Sequence, residues 1–87
     1  MTSRLAKIRF IADSVGNANY KGSFRGSNPQ EQGQIDTIRR DFAPYLYNDN
    51  PPADVVARLG PIAEKLLYNV KLDNPNTNID DIVRMYE

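Results

Sequence analysis

Between Val55 and Val70 the apolar residues fall at Val55, Val56, Leu59, Ile62, Ala63, Leu66, Leu67 and Val70. That spacing follows one face of a helix for roughly four turns. It is the wrong period for a strand, whose side chains alternate between two faces. The stripe commits this stretch to a helix with one buried side, which other segments must cover. Gly60-Pro61 punctuates it, yet Val55, Leu59, Ile62, Leu66 and Val70 keep their phase across the dipeptide. The dipeptide therefore predicts a helix kinked at Gly60-Pro61, or two short helices on one surface, rather than a reversal of the chain.

The remaining segments supply the cover. Over Ser3 to Val15, residues Leu5, Ile8, Ile11, Ala12 and Val15 share a helical face. Ser3 is placed to cap the start, and Gly16 stands where a helix ends. The alternative for residues 5–25 is a β-hairpin, in which Ile8, Phe10 and Ala12 alternate and face Tyr20 and Phe24 across Gly16-Asn17. The helix is the better reading, because a lone two-stranded hairpin is marginal in water. Residues 16–33 hold four of the five glycines and read as an irregular Gly/Asn/Ser-rich loop. Asn28-Pro29 suits the cap and first position of the next helix. That helix carries Ile35, Ile38, Phe42, Tyr45 and Leu46, and Pro44 predicts a break near residue 43. A turn over Tyr47 to Pro52 leads into the third helix. A polar turn over Asp73 to Thr77 then precedes a last helix, Ile79 to Tyr86, capped by Asn78. The expected fold is all-α: one small helical domain over residues 1–87, about four helical segments packed around the third.

Composition limits the chemistry. Val, Ile, Leu and Phe make up 21 of 87 residues, enough for a modest core and above the range of disordered chains. Without cysteine there is no disulfide, thiolate nucleophile or Cys-based zinc site. Without histidine the commonest general base and metal ligand are missing. Met1 to Gly16 has no apolar run of signal-peptide length, and no stretch approaches the ~20 apolar residues of a membrane span. The expectation is a soluble, intracellular, cytoplasmic protein that does not enter a membrane.

Motif tests turn up no catalytic, cofactor or metal site. Asp73 to Asp80 is rich in oxygen ligands, but counting from Asp73 puts Pro75 at the third position of a calcium loop. Counting from Asn74 puts Ile79 where the loop glycine belongs. A turn followed by a helix cap accounts for the segment. Asp80 and Asp81 point about 100° apart on a helix and do not converge. Gly22-Ser23-Phe24-Arg25-Gly26-Ser27 lacks the third glycine and the lysine of a phosphate cradle.

Charge is more informative. Residues 1–34 carry five basic groups and two acids, a net of +3; residues 35–87 carry a net of −3. Asp36 and Arg40, Asp54 and Arg58, and Asp80 and Arg84 are each spaced for a pair along one helix face. Arg4, Lys7, Lys21 and Arg25 have no such partner. Two of them adjoin rings in Tyr20-Lys21-Gly22-Ser23-Phe24-Arg25. Arg4, Lys7, Tyr20, Lys21, Phe24 and Arg25 are therefore the candidate partner-binding residues. The expected function is a non-catalytic protein-binding or regulatory module, meeting a protein with an acidic surface or a second copy of itself. Nucleic-acid binding through the same residues is the alternative, since rings stack on bases while Arg and Lys meet phosphates, although the chain is neutral overall. A small enzyme built on carboxylates and tyrosine is the less favoured third reading. Tyr45, Tyr47, Tyr68 and Tyr86 all lie on or beside helix faces, where the ordinary expectation is the edge of the core.

Overall fold

Ser3 starts the first helix as its sequence position predicts. Its Oγ accepts a hydrogen bond from the Ala6 N–H at 3.0 Å, satisfying a donor that the first turn leaves free. The computed structural model describes residues 3–14 and 29–87, and in it the helices are α1 (Arg4–Ser14), α2 (Pro29–Phe42), α3 (Ala53–Asp73) and α4 (Ile79–Arg84). No strand occurs among the described residues, and α1 occupies the ground on which the first strand of the hairpin would lie. The fold is a small all-α bundle. Pro29 opens α2, so residues 29–33 belong to a helix rather than to the loop, while residues 15–28 lie outside the described residues.

Proline and side-chain caps shape the rest. Pro44 follows the end of α2 and lies in a short 3-10 turn, Ala43–Tyr45, at the break expected from its ring. α3 runs through Gly60-Pro61 as one helix of 21 residues. Pro61 has no N–H to offer the Ala57 carbonyl, but both residues face solvent, where water can take that bond. Asn78 caps α4: its Oδ1 accepts from the Asp81 N–H at 3.3 Å, and Asp80 and Asp81 lie in the first turn, at the positive end of the helix.

The centre of the bundle is α1, not α3. It packs most extensively on α3, then on α2, and also touches α4. Ile8 and Phe10 lie about 200° apart around a helix, yet both are wholly buried, together with Ala6 and Ile11. α1 is thus enclosed from more than one side, as a helix apolar on several faces must be. Its charged residues reach out past that core along aliphatic stems. Ile35, Ile38 and Phe42 of α2 meet it, with Leu59, Ala63, Leu66, Leu67 and Val70 of α3 and Ile79 and Val83 of α4. The stripe on α3 is therefore buried where expected, with Val55, Val56 and Ile62 packed at its margin.

The ion pairs differ from the expected ones. Asp36 accepts from Gln32, and Asp54–Arg58 gives way to Arg58–Asp41 at 2.9 Å, with Arg40 on the same carboxylate at 3.1 Å. Asp80 pairs with Lys71 at 2.7 Å and Arg84 with Asp81. The spacing rule for a single helix sees only local neighbours. In the bundle, packing gives Arg58 and Asp80 cross-helix partners, while Asp36, Arg40 and Arg84 take other neighbours on their own helices.

Candidate functional site

Two turns that are distant in sequence meet against α1. The first follows Pro44, where the Asn48 N–H bonds the Tyr45 carbonyl at 3.0 Å and Asn48 Oδ1 accepts from the Asn50 N–H at 2.9 Å. That side-chain turn fixes Asn48 ahead of Pro51-Pro52. The second turn ends α4, with the Tyr86 N–H bonded to the Val83 carbonyl at 2.9 Å and the Glu87 N–H to the Arg84 carbonyl at 3.1 Å.

Arg9 of α1 joins the two turns. Its Nη2 donates to the Asn48 carbonyl at 2.7 Å and its Nη1 to the Tyr86 carbonyl at 3.2 Å. Its Nε is buried without a hydrogen-bond partner. The Tyr86 ring stands edge-on to Phe10, with centroids 5.8 Å apart, and its hydroxyl donates to Asp13 Oδ2 at 2.6 Å. Glu87 Oε1 accepts from the Ser3 N–H at 2.6 Å, and that bond holds the Glu87 carboxyl below its usual range. α1 therefore grips the final turn at Ser3, Arg9 and Asp13.

Between the turns lies an open groove of about 340 Å³. Tyr47 from one turn and Met85 from the other line it, and they are 85% and 83% exposed. Leu46 and Tyr86 add half-buried apolar surface, and Asp49 and Glu87 add carboxylates. Arg9 is the cation in the lining, but both its terminal nitrogens are already bonded to carbonyls. Tyr47 does not sit at the core edge as its position suggested, nor does Tyr68, which is 62% exposed; Tyr45 and Tyr86 do.

The residues singled out from sequence fall elsewhere. The Arg4 stem crosses Gly60, where an added Cβ would come within 2.0 Å of the Arg4 Cδ. Arg4 Nε then reaches Glu64 Oε1 at 2.9 Å. Lys7 is half-buried on the same helix. The Arg4 hydrogen bond lowers the Glu64 pKa, with a smaller Coulomb pull from Lys7, and Lys7 adds likewise to the lowering of Asp80 by Lys71. Both cations thus lie near carboxylates of this chain, and neither lines the groove. Tyr20, Lys21, Phe24 and Arg25 lie outside the described residues.

Among the described residues no group of three or more Asp or Glu side chains could hold a metal ion. In the segment tested for calcium, the Asn74 side chain donates to the Val70 carbonyl at 2.9 Å and Asp80 serves Lys71, as a turn and helix start require. The carboxyls of Asp41, Glu64, Asp80 and Glu87 are all shifted downward by hydrogen bonds, away from the raised values that suit a general acid. No helix among the described residues is long and apolar enough to cross a membrane. No protein-family model, curated protein or solved structure matches this chain.

Proposed function

We propose that this chain is a non-catalytic protein-binding module, and that the groove between the Tyr47 turn and the Met85 turn is where its partner docks. One observation carries the reading: Tyr47 and Met85, large and apolar, project almost fully exposed from opposite turns into one open depression. Isolated exposed apolar residues are ordinary, but two that converge on a groove favour contact with another surface. Tyrosine suits such a place because it offers a broad ring with little entropy to lose, and methionine because its thioether adapts to the shape it meets. Arg9 sets both walls from the central helix, so the groove is built on the core and offers a partner a prepared surface.

The volume supports a protein segment over a cofactor. It lies at the small end of the about 300–1,000 Å³ usual for small-molecule sites and is open to solvent, so it suits one or two side chains of a partner. Photo-crosslinking from position 47 in the source cells tests the reading, with exposed Ala57 on α3 as the comparison position. The proposal expects a discrete protein adduct from position 47, lost when Met85 is changed to Glu. Equal adducts from positions 47 and 57, or none from 47, would overturn it.

A further inference from the structure

We infer that the groove recognises a segment presenting a basic side chain, Arg or Lys, next to an apolar one. The inference rests on the docking role proposed above and names the chemistry of the occupant. Charge complementarity carries it. The lining contributes two carboxylates, Asp49 and Glu87, and a third, Asp13, sits at the Tyr86 hydroxyl. The hydrogen bond from Ser3 favours the ionised form of Glu87, and Asp49 is exposed. Among the described lining residues the opposing cation is Arg9, whose terminal nitrogens each hold a carbonyl, of Asn48 and Tyr86, and whose Nε is enclosed. An acidic segment would meet two like charges, against one guanidinium whose terminal nitrogens each already hold a backbone carbonyl. A basic one would meet those carboxylates and the exposed face of Tyr47 together. Cations are attracted to both, and a guanidinium can stack on a ring while its fork bonds a carboxylate. The neighbouring apolar side chain would lie against Leu46 and Met85, which accommodates irregular shapes.

The test uses the full chain and three acetylated, amidated pentapeptides that differ at the central position. The first is Gly-Leu-Arg-Leu-Gly; the others carry norleucine or Glu in place of Arg. Each is titrated to millimolar concentration while backbone amide NMR shifts are followed. The inference expects saturable shifts at residues 46–49 and 85–87 with the Arg peptide. It expects binding weaker by about three- to ten-fold for norleucine, and weaker still for Glu. Asp49→Asn should weaken the Arg peptide by about three-fold while leaving the far-UV spectrum unchanged, because Asp49 is exposed at a turn. If the norleucine or Glu peptide binds as tightly at the same amides, the cation preference is wrong and the docking role stands. If none of the three moves those amides, the docking role falls with it.

Discussion

Gly60 is the position where the packing of α1 on α3 makes its sharpest demand. A Cβ there would fall 2.0 Å from Cδ, 2.5 Å from Cγ and 2.6 Å from Nε of Arg4, so Gly60→Ala must push the Arg4 side chain aside. Displacement breaks the 2.9 Å bond to Glu64, an exposed pair worth about 0.2–1 kcal/mol, and uncovers some of the stem. Two further effects act on the backbone. Alanine gains about 1 kcal/mol of helix propensity over glycine, and its Cβ is disfavoured in helical geometry just before Pro61. Both backbone effects are the same whether or not Arg4 is present, so a double-mutant cycle with Arg4→Ala cancels them. The expected coupling is about 1 kcal/mol, with Gly60→Ala less favourable in the presence of Arg4 than in its absence. Urea unfolding of the four proteins, followed by far-UV circular dichroism, measures it provided the slope with denaturant is constant. A coupling indistinguishable from zero would mean that the Arg4 stem does not cross Gly60, and the account of this contact would be wrong.

Leu66 is wholly buried on the face of α3 that meets the rest of the core, so Leu66→Ala should cost about 2–5 kcal/mol in the same assay, and a cost below about 1 kcal/mol would contradict its placement. The pKa values of Asp41, Glu64, Asp80 and Glu87 are lowered on folding, so the stability they add is full above the ordinary carboxylate range and is lost as pH falls through their lowered values. Thermal melts between neutral pH and about pH 3 should show the midpoint falling over the acid end of that range, by less at high salt because these groups are half-buried or exposed and so reached by solvent ions; a midpoint that rises on acidification would refute the assignment. Tyr47→Ser and Met85→Ser should each change unfolding free energy by no more than about 0.5 kcal/mol, since both side chains project into solvent. A larger loss would show that they support the fold rather than the groove.

Much of the architecture is legible in local patterns. The α3 stripe, the break at Pro44 and the Ser3 and Asn78 caps are all decided within a few residues, and each is where the chain places it. What escapes a local reading depends on long-range packing. α1 reads as one-faced until Phe10, set about 200° from Ile8, is seen buried against Tyr86. Two of the helix-spaced ion pairs fail for the same reason, because Arg58 and Asp80 find partners on neighbouring helices, while Asp36 and Arg40 find others within α2. The groove gives no signal in sequence. Tyr47 and Met85 stand in unremarkable turns 38 residues apart, and Arg9 bonds a backbone carbonyl of each turn. An arginine bonded to main-chain oxygens leaves no mark on the identity of its partners. Arg4 and Lys7 were legible as cations lacking a partner on their own helix, but the carboxylates near them, Glu64 and Asp80, lie on α3 and α4.

The central claim is that a protein partner docks between the two turns that Arg9 joins. Amide hydrogen exchange of the chain, alone and in complex with the protein recovered by crosslinking at position 47, tests it most directly. The account predicts added protection confined to residues 45–49 and 84–87, with the exposed face of α3 over residues 57–65 exchanging as before. Protection appearing on α2 or that face of α3, with the two turns unchanged, would contradict it.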